Sequence, residues 1–314
     1  MTAGVLTAVT AVGRGPIGDL AADADLLVAT NPADHSLSFI AADTASVIGG
    51  AVFDGEPFVV GMRENRAYVG VSSVGFDSLA AVDTGTGDVV ASYPLAEVGA
   101  SVTALTVHPD GKVVFVARSG RDGVDIAVVD TTADDIGSIP FAADATSTIN
   151  ALRVSLDGRR LYAAVSNAFD GELVVIDGDE AMPLDSVAIG NPVRDIAVSP
   201  RGIVVLAWHP GSGGVVHLID AESPTIVSSF VVGGSPTQLV LGRDGDRAYL
   251  VDEDRVDVFD IATGELVDTI AVGARPSCVA VSPDGGRLYV AYYAGVVTRH
   301  PVPRGSIVTA AERV

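Results

Sequence analysis

Arg275–Ala291, RPSCVAVSPDGGRLYVA, reads as a strand, a tight turn and a second strand. Val279 and Val281 flank Ala280 in an apolar run too short for a helix. Ser282-Pro283-Asp284-Gly285 follows with type I turn chemistry, in which proline presets φ at the second position and glycine suits the fourth. Leu288-Tyr289-Val290-Ala291 then has the β-branched and aromatic composition that packs on a pleated surface. A lone two-stranded ribbon is marginal in water, so the unit must stack on copies of itself.

The chain supplies those copies. His108-Pro109-Asp110-Gly111 precedes Val114-Phe115-Val116, and Ser155-Leu156-Asp157-Gly158 precedes Leu161-Tyr162-Ala163. Ser199-Pro200-Arg201-Gly202 and Arg243-Asp244-Gly245 lead into further apolar strands, and the turn glycines 111, 158, 202, 245 and 285 stand 47, 44, 43 and 40 residues apart. Such a near-constant period marks a repeat architecture. Two degenerate copies upstream, ahead of Ala67-Tyr68-Val69 and Leu27-Val28-Ala29, bring the number of units to seven. Each unit runs on into a third strand closed by aspartate (Asp43, Asp83, Asp130, Asp177, Asp220, Asp260), with His300 read at that place in the last unit. Aspartate is a favoured first residue of a turn, so these six are read as turn residues and not as a metal set. A fourth strand and a Gly-x-x-Pro linker follow, as at Gly233-Gly234-Ser235-Pro236 and Gly273-Ala274-Arg275-Pro276. Proline is tolerated where it opens the next strand.

Four short strands at this period make a β-propeller blade. The expected fold is therefore all-β: a single domain over residues 1–314, a seven-bladed β-propeller of four-stranded antiparallel blades. The seventh unit lacks a fourth strand and the N-terminus has one to spare, since Leu6–Pro16 matches Leu266–Pro276 in spacing and character. Val5–Val12 is thus expected as the outer strand of the last blade, closing the ring beside Val296–Val302, with Pro303–Val314 as a tail.

Composition narrows the function classes. The 314 residues are 48% hydrophobic and 5% aromatic with 35 glycines, which suits short strands joined by tight turns. A net charge of −21 opposes nucleic acid or an anionic membrane as partner. Mean hydropathy is high at +0.41, yet no apolar stretch approaches the roughly 18 residues of a spanning helix. The N-terminal stretch has no basic region followed by a long apolar one, so the expectation is a cytoplasmic monomer, or an exported protein if a leader precedes this sequence. The lone cysteine, Cys278, sits in an apolar strand as a small hydrophobe.

These repeats resemble the YVTN β-propeller family, whose unit joins a Pro-Asp-Gly turn, a Tyr-Val-x-Asn strand and an outer strand leading to Val-Gly-x-x-Pro. The carriers are Pro283-Asp284-Gly285 with Tyr289-Val290, Pro109-Asp110-Gly111 with Phe115-Val116, Tyr162 with Asn167, and Val28-Ala29-Thr30-Asn31. The resemblance implies a bacterial propeller, and family members include surface-layer proteins and relatives of seven-bladed lactonases. One tryptophan, Trp208, fits neither WD40 nor quinoprotein blades, which need a tryptophan in each repeat.

In a propeller, ligands meet the face formed by the linkers and by the loops joining second to third strands. Candidate ligand-binding residues there are Arg14, His35, Asn150, Arg194, Asp195, His209, Gln238 and Arg275, with Arg118, Arg121, Asp122, Asp170, Asp252, Glu253 and Asp254 on the same face. The arginines suit a phosphate or carboxylate. No histidine pair has metal-site spacing and no nucleophile elbow or phosphate loop is present in workable context, so neither metal, cofactor nor catalytic residue is expected. The leading functional expectation is a non-catalytic scaffold binding a protein or small molecule at the loop face; the alternative is a hydrolase resembling the lactonases, with its site at the channel mouth.

Overall fold

The computed structural model describes residues 8–96, 101–120, 123–141, 146–272 and 275–302. Seven four-stranded antiparallel sheets stand around a ring. Their innermost strands are Leu20–Ala22, Glu56–Arg63, Ser101–Val107, Thr148–Val154, Val193–Ser199, Gln238–Leu241 and Pro276–Val281, in blades 1 to 7. Each touches the next, and the last touches the first.

The opening hairpin forms as its residues dictate. Val281 pairs with Leu288 and Val279 with Val290, and between them the Gly285 N–H donates to the Ser282 carbonyl at 2.8 Å with Gly285 at φ 70°. Seven apolar clusters, one per blade boundary, make the core. The second-strand aromatics Tyr68, Phe115, Tyr162, Tyr249 and Tyr289 are buried in them. The tyrosine hydroxyl is satisfied across the boundary where it reaches a carbonyl: Tyr289 donates to Ala42 of blade 1 at 3.1 Å, and Tyr68 to Gly111 of blade 3 at 3.3 Å.

Ring closure follows the expected route. Ala8–Ala11 pairs antiparallel with Val296–Pro301, and blade 7 is completed by the N-terminal strand. Residues 5–7 of the expected strand and the tail 303–314 lie outside the described residues.

The turn reading of the aspartates holds at five places. Asp83, Asp130, Asp177, Asp220 and Asp260 each offer one carboxylate oxygen to the backbone N–H groups two and three residues on, at 2.8–3.1 Å. Two alignments need correction. Arg66, Arg160 and Arg247 pair with Asp83, Asp177 and Asp260, but Arg287 pairs with Pro301, so Pro301 and not His300 takes the aspartate place in blade 7. The reason is topological: the fourth strand of that blade comes from the N-terminal end, leaving no turn into it to cap. In blade 1 the shared position is Ala41, paired with Leu26, and Asp43 lies two residues beyond it.

His300 instead takes a core position that other blades give to Val82, Ile176 or Phe259. It is 2% exposed, its Nε2 sits 2.9 Å from the Thr298 hydroxyl, and its buried Nδ1 has no partner among the described residues. Burial holds its pKa below the usual histidine value. The unfolded chain takes up a proton below about 6.5 that the folded chain resists, so this site is neutral to stability above that pH and costs progressively more beneath it. His300→Val is expected to be near neutral at pH 8 and stabilising at pH 5, measured by urea unfolding at both; an unchanged difference would refute the assignment.

The Gly-x-x-Pro linker before blade 6 shows why both glycines are there. Gly233 and Gly234 have φ of 74° and 59°. A Cβ at Gly233 meets nothing, whereas one at Gly234 runs into the buried Asp252 carboxylate, which accepts from Ser235 and Glu253 and pairs with Arg255 at 2.8 Å. Gly233→Ala is expected to cost about 1 kcal/mol for the left-handed backbone alone. Gly234→Ala should cost at least about 1 kcal/mol more, read from denaturant midpoints.

Candidate functional site

The innermost strand of a blade is a sheet edge, and its free N–H and C=O groups face the ring axis. In every blade this strand is also bulged at one place. Phe58, Thr103, Asn150, Arg194 and Ser277 are the extra residues in blades 2, 3, 4, 5 and 7. Gly18 and Asp19 both hydrogen-bond Thr30, and Thr237 joins Gln238 on Val251, so blades 1 and 6 repeat the pattern. A bulge leaves one residue unpaired and re-aims its side chain. Here six of the seven bulged residues, and the residue after the bulge in all seven blades, line one cavity of about 240 Å³ on the axis.

Three of the polar residues after a bulge perform the same task. Asp19 accepts the Val60 N–H of blade 2 at 3.0 Å, Asp195 the Leu239 N–H of blade 6 at 3.0 Å, and Gln238 the Val279 N–H of blade 7 at 2.7 Å. Edge carbonyls are met by bulged residues: Thr103 donates to Ile149 at 2.7 Å and Asn150 to Val193 at 2.6 Å. These bonds tie neighbouring blades together around the channel and satisfy groups that a dry wall would otherwise orphan.

Charge concentrates on one side. Arg153 projects from the blade 4 inner strand, two residues beyond Ala151, and its guanidinium meets Asp195 at 3.0 Å. Asp195 is buried, and burial raises its carboxyl pKa in spite of Arg153 and two backbone N–H donors. Asp19 keeps some surface on the channel, but protein walls it in, and burial pushes its pKa up to about 6 against the N–H groups of Val60 and Leu20 and the Arg153 charge. Cys278 is also in the wall; burial first and the Asp19 charge second push its thiol well up, so it stays protonated and unreactive. Arg194 stands at the mouth with its guanidinium 5.9 Å from the Trp208 ring centre, a cation–π contact.

Of the eight candidate residues, the structure brings Asn150, Arg194, Asp195 and Gln238 together in this cavity. The other four are placed elsewhere on that face. Arg14 is exposed and pairs with Asp34. His35, at φ 51°, ends the short 3-10 turn Pro32–Asp34. His209 Nδ1 accepts from the N–H groups of Gly211 and Ser212 at 3.0 and 3.2 Å, closing its own loop. Arg275 lies 5.4 Å from the Tyr293 ring centre. Arg118 pairs with Asp125 and donates to the Leu95 carbonyl at 2.7 Å, while Arg121 and Asp122 lie outside the described residues. The acidic loop is threaded by Arg255, which pairs with Asp252 and Asp257 at 2.8 and 2.9 Å.

Sequence reasoning misses Asp19 and Arg153. Their signal is present: Asp19 is a charged residue directly before the apolar inner strand Leu20–Ala22, three residues after the linker proline Pro16, and Arg153 stands between Leu152 and Val154 in its own inner strand. A larger cavity of about 360 Å³ lies between blades 3 and 4, lined by Phe141, Val174, Pro183 and Leu184 among others. It borders residues 142–145, which are not described, and its described lining holds the carboxylates Glu172 and Asp185 but no cation. The axial cavity is where the ionisable groups converge.

Comparison with known proteins agrees with the geometry. No family model matches the chain. A curated relative, "Seven-bladed beta-propeller protein Rv1057" of Mycobacterium tuberculosis, is 36% identical over 342 residues, spanning 96% of this chain and 86% of the relative. Among solved structures, Kuenenia stuttgartiensis hydrazine synthase superposes with a TM-score of 0.81 at 20% identity, over 96% of this chain and 99% of that one. The Cps50 (Swd1) β-propeller domain of Myceliophteria thermophila gives 0.77 at 13% identity, over 94% and 100%. At these identities the two structures speak for the fold alone.

Proposed function

The chain belongs to the seven-bladed β-propeller proteins, and within that fold we propose that it is a non-catalytic binding scaffold with YVTN-type repeats, taking its ligand at the axial cavity. The observation that carries this reading is the construction of the cavity. Polar side chains from several blades converge on one mouth, yet the carboxylates there are engaged by backbone N–H groups of the next blade and the thiol is held neutral. Such groups hold and orient; they are not poised to attack. Arg194 at the mouth is steadied by its cation–π contact with Trp208. With a net charge of −21, a nucleic-acid partner remains disfavoured.

The hydrolase reading has one observation in its favour, the Asp19 carboxyl at about 6 in a confined channel beside Arg153, since perturbed acids gather at active sites. A single experiment separates the two. Metabolites are screened by thermal shift against the native protein and Arg194→Gln, with lactone and phosphoester turnover followed in parallel. Stabilisation that Arg194→Gln removes, without turnover, is the expected result. Turnover that Asp19→Asn abolishes would replace the scaffold reading by the hydrolase one.

A further inference from the structure

Among the charged and amide side chains at the channel mouth, the free capacity lies mainly with donors, and this imbalance specifies the occupant. Both Asp195 oxygens are taken, one by Ile196 N–H and Arg153, the other by Leu239 N–H. Each Asp19 oxygen already accepts one backbone N–H. Asn150 is satisfied at both ends, by Val193 and Thr148. Gln238 spends its oxygen on Val279, which turns its NH2 into the available end. Arg153 uses one Nη1–H on the Leu152 carbonyl and one Nη2–H on Asp195, leaving Nε–H and the second hydrogen of each Nη, and the Arg194 guanidinium makes no hydrogen bond among the described residues.

We propose that the axial cavity binds the carboxylate of a small organic acid, held by Arg194, the free Arg153 N–H groups and the Gln238 amide. The inference rests on the scaffold reading above and names its ligand class. A carboxylate accepts in-plane donors from guanidinium and amide groups, with Arg194 as its main ionic partner. A cation would find both aspartates already occupied by donors. Size restricts the acid further, because about 240 Å³ is below the roughly 300–1,000 Å³ of sites for drug-sized ligands, so a molecule of a few carbons fits. Charge balance favours a monoanion: two arginines oppose two aspartates when both acids are ionised, and the mouth becomes singly positive once Asp19 takes a proton.

Asp19 thereby sets a pH dependence. The ionisable groups that face it are Arg153, Asp195 and Cys278, and the thiol stays neutral throughout the relevant range. Its carboxyl takes up a proton as pH falls through about 6, removing a negative charge beside the bound anion. Affinity should therefore rise on acidification, and by linkage the bound anion should raise the Asp19 pKa in turn.

The test is isothermal titration of lactate, succinate, inorganic phosphate, glucose and calcium at pH 5.5 and 8.0, with native protein, Arg194→Gln and Asp19→Asn. Arg194 is exposed, and the amide oxygen that Asp19→Asn introduces can still accept the Val60 N–H, so both variants should fold; circular dichroism checks this. Lactate is expected to bind best, at least about fivefold tighter at pH 5.5 than at 8.0. Arg194→Gln should weaken it about tenfold or more at both pH values, and Asp19→Asn should give the tighter affinity at both. Preferential binding of phosphate or glucose, lost in Arg194→Gln, or of calcium, lost in Asp19→Asn, would overturn the carboxylate class and leave the scaffold reading standing. Lactate binding that neither variant alters would overturn the site. If none of the five probes binds, the carboxylate proposal falls; the scaffold reading falls with it only if the wider screen is also empty.

Discussion

Replacing Arg153 by methionine is expected to cost the fold about 2–3 kcal/mol at pH 8. The guanidinium is only partly exposed, and its partner Asp195 is 6% exposed with its carboxylate facing the channel wall. Methionine preserves most of the stem's packing, so the loss falls on the charge left behind. Asp195 retains the Ile196 and Leu239 N–H groups, which is why the figure sits at or below the low end of the roughly 3–5 kcal/mol typical of broken buried pairs. The sign of the pH dependence is fixed by the pKa direction. Burial already raises Asp195, and losing Arg153 raises it further. An acid whose folded pKa lies above its unfolded value penalises the fold when both states are ionised, and the penalty fades as pH falls from the folded pKa towards about 3.9. The deficit of Arg153→Met should therefore shrink steadily between pH 8 and pH 4.5, and Arg153→Met with Asp195→Asn should recover most of it at pH 8. A deficit that is constant with pH and not rescued by adding Asp195→Asn would mean that Arg153 acts through packing alone.

That pair also marks the limit of what the sequence displays. The repeat period, the turn glycines and the spare N-terminal strand are local patterns, and each of them is visible without coordinates because strand and turn chemistry act over a few residues. The ring position of Asn150, Arg194, Asp195 and Gln238 is legible for a related reason: linkers between blades must open towards the axis. Arg153 is not, because it lies deeper in its strand, and only the shared bulge shows which face of that strand looks into the channel. His35 and His209 illustrate the converse. They share the loop face with the channel mouth, but their loops close on themselves, and nothing in the spacing of two histidines reveals a ring nitrogen turned back onto its own backbone. The His300 alignment fails for a third reason. A strand supplied from the far end of the chain removes the local turn whose aspartate serves as the landmark in other blades.

The same long-range strand underlies the largest expected effect. Deleting residues 1–12 should lower Tm by roughly 10 °C or more and promote concentration-dependent aggregation, whereas ending the chain after Val302 should shift Tm far less. Ala8–Ala11 supplies a four-residue ladder to Val296–Arg299. It also bridges the seam, since the Thr10 hydroxyl donates to the Ala45 carbonyl of blade 1 and the Ser38 hydroxyl donates to the Val12 carbonyl at 3.3 Å. Val12 and Gly13 further cap the last hairpin through their N–H groups on the Gly295 carbonyl, at 2.8 and 3.1 Å. The deletion removes the ladder and the bonds of Thr10 and Val12, Gly13 keeping its own; at about 1 kcal/mol net for each bond, with the apolar cover of Val12 over the blade 7–1 cluster added, that is on the order of 5 kcal/mol or more. For a chain of this size that corresponds to roughly 10 °C. Every other blade boundary is joined by a covalent linker between consecutive blades, whereas blades 7 and 1 meet through this strand, the cluster around Leu27, Ile40 and Tyr289, and hydrogen bonds from Arg287, Tyr289 and Arg299 to the Ala42 and Asp43 carbonyls. Loss of the strand also bares the outer edge of Val296–Pro301, a row of unpaired N–H and C=O groups that recruits other chains. Differential scanning calorimetry at two protein concentrations reads both effects. If the C-terminal truncation proved the more damaging, the ring would owe its closure to the other end of the chain.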